Sequence, residues 1–112
     1  MKIVNHAIVR FGQRHLKMFA DVDGSDNRAC AAAVKANATI SRHITIAIRN
    51  LVSKAVAAGK TADVACGSWM DVGAGVLVVY RDDKYAPGKK VITTVGTVAD
   101  FGKFYPGKTL RN

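Results

Sequence analysis

Val76-Leu77-Val78-Val79-Tyr80-Arg81 and Lys90-Val91-Ile92-Thr93-Thr94-Val95 are two runs rich in β-branched and aromatic residues, joined by residues 82–89. Such residues fit a pleated, half-buried surface, so each run reads as a strand. Pro87-Gly88 between them suits the two central positions of a type II turn, because Pro presets a negative φ and Gly accepts the positive φ that follows. The pair is therefore a β-hairpin, and the remaining sequence has to pack on it.

Upstream the pattern is helical. From Ile3 to Phe19 the apolar residues Val4, Ala7, Ile8, Phe11, Met18 and Phe19 fall on one side of a helical projection with His15 among them, while His6, Arg10, Gln13, Arg14 and Lys17 fall on the other. The acidic stretch Asp21 to Asn27 reads as a loop offering Ser25, Asp26 or Asn27 as the next helix cap. Residues 28–36 are Ala-rich and helix-favouring, Asn37 interrupts them, and Ile40, Ile44, Ala47, Ile48, Leu51, Ala55 and Ala58 recur every three or four residues up to Gly59. Beyond Gly59, residues 61–66 read as a short strand and 67–75, with three glycines and Trp69, as a turn-rich connection. Val98 to Phe101 reads as a further short strand, and residues 102–112 as a basic tail with a second Pro-Gly-Lys turn. The expected fold class is α+β: one domain over 1–112, mainly helical to residue 60 and mainly β over 61–101, with N-terminal helices packed on a small antiparallel sheet.

The chain has 112 residues, enough for one hydrophobic core. Its 17 Lys and Arg against 8 acidic residues leave a net charge of +9. The ends carry the excess: residues 1–20 hold Lys2, Arg10, Arg14 and Lys17 with no acid, and residues 84–112 hold six bases against Asp100. A surface of this kind attracts phosphate-bearing partners, so RNA or another polyanionic surface is the expected partner. Cys30 and Cys66 lack metal-ligand spacing and read as reduced thiols, no apolar run is long enough to span a bilayer, and a cytoplasmic location is expected. No cofactor and no metal site is expected. Gly73-Ala74-Gly75 lacks the setting of a dinucleotide fingerprint, and His6, His15 and His43 lack zinc spacing.

His6, Arg10 and Arg14 stand four residues apart, one row along a helix face. An imidazole can move a proton while guanidinium groups stabilise charge on a phosphorane-like transition state, which is the chemistry of RNA cleavage without a metal. A solvated cationic helix face accounts for the same row. Interleaved aromatics and bases form a second candidate set. Arg81, Lys84, Tyr85, Lys89 and Lys90 with Lys17 are nucleic-acid contacts if unpaired bases stack on the rings and the cations hold the backbone, and Lys103-Phe104-Tyr105 with Lys108 repeats the pattern. Core packing is the alternative for the rings.

The opening His6-Ala7-Ile8-Val9-Arg10-Phe11-Gly12-Gln13-Arg14 resembles the "HA-x-x-R-x-x-x-R" helix of small bacterial and phage domains related to RelE-like and BrnT-like ribonuclease toxins. Ala55-Val56-Ala57-Ala58-Gly59 resembles that group's second helix, and residues 75–82 with 90–95 resemble its closing hairpin. Residues 21–54 stand as an insertion, and the stretch after Phe101 has no counterpart. The resemblance implies a RelE-like or barnase-like fold, with His6 as acid or base, Arg10 and Arg14 holding phosphate, and Thr94 facing the same cleft from the last strand. Thr93 is the alternative, since one residue of register reverses the exposed face. A non-catalytic protein that blocks a host nucleic-acid enzyme or defence complex, one whose protein partner is an antitoxin or that enzyme, and an oligomerisation module using the Ile-rich helix are the competing expectations.

Overall fold

In the computed structural model, which describes residues 1–59, 62–64 and 67–104, the hairpin forms as expected. Strand β4 (Val76–Asp82) pairs antiparallel with β5 (Lys90–Thr97). The Lys89 N–H donates to the Ala86 carbonyl at 3.0 Å and Gly88 holds φ at 82°, the geometry of the expected type II turn. The pairing slips once: Val79 opposes Thr94 but Tyr80 opposes Ile92, leaving Thr93 as the extra residue of a β-bulge.

Two further strands extend the hairpin on the β4 side. Strand β3 (Gly67–Gly73) pairs antiparallel with β4, and β2 (Ala62–Val64) with β3. The expectation of a turn-rich connection over 67–75 is corrected here. Met70 and Val72 are buried on one face and Trp69 on the other, the alternation of a strand, and only Ala74 and Gly75, with φ of 55° and 76°, make the two-residue turn. Counting glycines overweighted their turn role, since those at the two ends of β3 bracket the strand rather than break it.

On the other side of the hairpin, β1 (Lys2–Ile3) lies parallel to β5, giving the order β1-β5-β4-β3-β2 among the described residues. The sheet is therefore mixed, not purely antiparallel. The expected helix from Ile3 to Phe19 is shorter as well. Helix α1 spans Asn5–Phe11, a π-helical turn spans Gly12–Leu16, and Lys17 and Phe19 take left-handed φ values of 54° and 59°. Helical periodicity counts faces but cannot detect a wider turn within one face.

Helix α2 (Asn27–Ala36) begins where the Asp26 carboxylate accepts the Arg28 and Ala29 N–H groups at 2.9 and 3.1 Å, a side-chain N-cap. Helix α3 (Ala38–Ala57) follows after the break at Asn37, as its spacing predicts. Its buried stripe is Ser41, Ile44, Ile48, Val52 and Ala55. Ile44, Ile48 and Val52 pack with Ala7, Ile8 and Phe11 of α1 against Met70, Val78, Ile92 and Val95 of the sheet. Each such aliphatic side chain contributes about 1.5–3 kcal/mol on burial.

Residues 98–104 form a helix, α4 (Val98–Phe104), where a strand over 98–101 and a tail from 102 are the expectations. The cause is local. The Asp100 N–H donates to Thr97 Oγ1 at 3.1 Å and the Thr97 N–H donates to Asp100 Oδ2 at 2.9 Å, a reciprocal capping box. Phe101 then packs edge-on against Trp69, ring centroids 5.5 Å apart, on the sheet face opposite α1 and α3. No described helix is long and apolar enough to cross a membrane. Cys66, Tyr105, Lys108 and the second Pro-Gly-Lys turn lie outside the described residues.

Candidate functional site

Strand β1 covers β5 only as far as Ile92, whose carbonyl accepts the Val4 N–H at 3.2 Å. Past that point the β5 edge would present bare backbone groups, which proteins satisfy or cover. Side chains from α1 and the π-turn do so here. Arg14 donates to the Val95 carbonyl through Nη1, and His15 Nε2 lies 3.1 Å from the Gly96 carbonyl. His6 Nε2 meets Thr94 Oγ1 at 3.0 Å.

The His6 ring is held at both nitrogens. Nδ1 faces the Gly24 carbonyl, which can only accept, so Nδ1 carries a proton, and in that tautomer of the neutral imidazole Nε2 is the nitrogen able to accept the Thr94 O–H. An imidazole fixed in this way, with one nitrogen anchored and the other turned to a hydroxyl, has the orientation of a general base. Gly24 is buried, and its carbonyl also receives the Cys30 thiol at 3.6 Å. Burial pushes the Cys30 thiol above its ordinary pKa, with Arg10 opposing this and Asp26 and Asp23 adding to it.

Arg10 lies against the same loop. A Cβ at Gly24 would stand 2.5 Å from Arg10 Cζ, so the glycine provides the room for the guanidinium, which also donates to Gln13 Oε1 at 3.1 Å. Gln13 in turn donates to the Phe19 and Val22 carbonyls at 3.0 and 2.8 Å, tying the loop to the π-turn. Gly12 does similar work: a Cβ there would come within 2.4 Å of the Phe19 ring.

Arg14 differs from Arg10 in being used up internally. Beside the Val95 carbonyl it pairs with Asp100, Nε to Oδ2, at 3.5 Å. Burial lowers its pKa, Asp100 raises it and Arg10 lowers it, yet an arginine remains charged throughout the working pH range. Burial pushes the Asp100 carboxyl up, but its hydrogen bonds to Thr97 and the charges of Arg14 and Lys103 hold it below the ordinary carboxylate value.

The row expected at His6, Arg10 and Arg14 therefore divides at the π-turn: His6 meets Thr94, Arg10 lies on the Gly24 loop, and Arg14 joins β5 to α4. Of the two candidate threonines, Thr94 meets His6, and the hydroxyl of the bulged Thr93 donates to the Val79 carbonyl at 3.2 Å. Thr93 nonetheless lines, with Val4, Asn5, His6, Asn27 and Cys30, a cleft of about 420 Å³ beside the imidazole. His15 packs on the Phe11 ring at 5.3 Å, and His43 is exposed on α3.

The second set lies along the hairpin. Lys84, Tyr85 and Lys89 are exposed, Tyr85 to 85%, with Lys84 Nζ 5.1 Å from the Tyr85 ring centroid. Lys90 stands 4.6 Å over the Tyr80 ring and 3.8 Å from Asp82 Oδ1, and Arg81 donates to the Asp82 carbonyl at 3.3 Å. Lys17 is exposed at the end of the π-turn. No described hydrogen bond or ion pair joins this hairpin set to His6 or the arginines.

Gly24, Gln13 and Asp100 are the residues that sequence reasoning missed. Asp100 had a signal, Thr97-x-x-Asp100, whereas a loop carbonyl and a loop-tying amide leave none. Comparison of the chain with protein-family models, with curated proteins and with solved structures finds no match.

Proposed function

We propose that this chain is an RNA-interacting protein that cleaves RNA without a metal ion, in the manner of the RelE-like toxins its opening helix resembles. The observation that carries this reading is the His6 ring, anchored through Nδ1 on Gly24 and presenting Nε2 to a hydroxyl at 3.0 Å beside an open cleft. A ribose 2′-hydroxyl taking the place of the Thr94 hydroxyl would find a base already oriented. His6 then accepts the 2′-hydroxyl proton as the 2′-oxygen bonds to phosphorus. The bond from phosphorus to the 5′-oxygen breaks, and the imidazolium returns the proton to that oxygen. Arg10 is the guanidinium suited to the phosphorane charge. Arg14, bound to Asp100 and Val95, is a positioning residue that keeps the π-turn on the β5 edge.

A second reading rests on the same internal bonding. With both His6 nitrogens and the Arg14 guanidinium committed to the fold, the edge set can serve as scaffold alone. The protein then binds a nucleic-acid site, or blocks a host nucleic-acid enzyme, without turnover.

Purified wild-type and His6→Ala protein incubated with total RNA and with ribosomes, chelator present, separates the two. Fragment ends read by primer extension are expected with the wild type only. Intact RNA in both samples moves the conclusion to binding without cleavage.

A further inference from the structure

Helices α2 and α3 carry Arg28, Lys35, Arg42, Arg49 and Lys54, all exposed, with no acidic residue between positions 27 and 57. None of the five takes part in either ion pair among the described residues, which join Arg14 to Asp100 and Lys90 to Asp82. This is a different use of cations from that at the β5 edge.

The C-terminal half of α3 also borders a groove of about 440 Å³ that runs to the hairpin turn. Val52, Val56 and Ala57 of α3 and Met1 form its apolar side, and Gly88, Lys89 and Lys90 form the opposite rim. Arg49 belongs to the same place, since its Nη2 donates to the Met1 carbonyl at 3.4 Å. Val56 is half exposed, an apolar surface with Lys89 and Lys90 across the groove and Arg49 about two turns before it on α3.

We infer that this groove holds one single strand of nucleic acid, RNA on the reading proposed above, with Arg49, Lys89 and Lys90 on its phosphates and the exposed Val56 and Ala57 against its bases. An apolar side facing a cationic rim, with Arg49 at the Met1 end, matches an unpaired strand, whose bases need a surface to lie on and whose backbone needs cations. A duplex hides its bases and would use the cations alone. Tyr85, on the hairpin loop that ends at this rim, offers a ring for stacking.

The groove also leads toward His6. Met1 lines it, while Val4, Asn5 and His6 line the cleft beside the imidazole, so the two hollows flank β1. At ~3.3 Å per strand residue, Met1 to Val4 spans about 10 Å. The exposed Lys2 lies between them. A strand held in the groove would thus pass over Lys2 to the oriented base.

The test is equilibrium binding of a fluorescent single-stranded RNA to the His6→Ala protein, which removes turnover. On that background, Arg49→Ala with Lys89→Ala is expected to weaken binding at least tenfold. It should also flatten the slope of log affinity against log salt by ~1.4, two phosphate contacts at ~0.7 each. Val56→Glu, at a half-exposed position, is expected to weaken binding about tenfold, and Arg28→Ala on α2 to change it little. Thermal unfolding of each variant, expected to match its parent, reports folding. Affinity and slope unchanged in the groove variants would overturn the inference, as would tighter binding to duplex RNA or to phosphatidylserine vesicles, or no binding at all. Cleavage by the wild type with unaltered groove variants would leave the catalytic reading standing and remove the groove; loss of binding in those variants with no cleavage anywhere would do the reverse.

Discussion

The β5 edge and the outer face of α3 are both rich in cations, and they use them in opposite ways. At the edge, Arg14 is bound to a carbonyl and a carboxylate, Arg10 lies on Gly24, and His6 is fixed at both nitrogens. On α3, Arg42 and Lys54 reach into solvent and Arg49 makes one long bond to a backbone carbonyl. A positive charge in a sequence is thus no measure of availability: near an unpaired strand edge the backbone claims it, and on a helix without acids of its own it stays exposed and outside every ion pair among the described residues.

The contrast is sharpest in stability. Arg14→Ala leaves the Val95 carbonyl and Asp100 without their partner, and its expected cost is about 2–3 kcal/mol, read as a lower urea midpoint at constant m. Gly12→Ala forces the Phe19 ring aside and is expected to cost about 1–3 kcal/mol by the same measurement. A wild-type midpoint in either variant would break the claim that the edge set holds the fold.

Asp100→Asn is expected to cost about 1 kcal/mol near neutral pH, through the capping box and the Arg14 pair. Its pH dependence has a definite sign. The Asp100 carboxyl is depressed in the folded protein, so its contribution is complete above the ordinary carboxylate pKa and disappears as pH falls through the lower folded value. The stability gap between wild type and Asp100→Asn should therefore begin to close below about pH 4 and vanish once pH lies below the folded value. A gap that persists at pH 2 would assign the loss to something other than ionisation.

At the small end, Arg42→Ala is expected to shift stability by no more than about 0.5 kcal/mol, because its exposed side chain makes no hydrogen bond or ion pair among the described residues. A loss comparable to that of Arg14→Ala would erase the distinction between the two regions.

The hairpin over 76–95, a cap among Ser25, Asp26 and Asn27 and the break at Asn37 were legible in the sequence because each depends on residues close together in the chain: β-branched runs around Pro-Gly, capping residues before a helix, an Asn between two helical periods. The helix at 98–104 was legible in principle, through Thr97-x-x-Asp100, but Val98 and Phe101 resemble strand residues when the cap is overlooked. The candidate site was half legible. His6, Arg14 and Thr94 do meet along the β5 edge, with Arg10 on the neighbouring Gly24 loop, while the carbonyl of Gly24 and the tie through Gln13 carry no signature.

By itself, then, the sequence determined the α+β class, the hairpin, a helix start within 25–27 and a break at 37, and a surplus of positive charge, all consequences of local backbone preference and composition. Only the tertiary structure decided which charges are spent. That depends on which strand edge β1 leaves uncovered, on the π-turn that separates Arg14 from Arg10, and on the bulge at Thr93 that leaves Thr94 to meet His6, and each of these is set by packing between segments far apart in the chain.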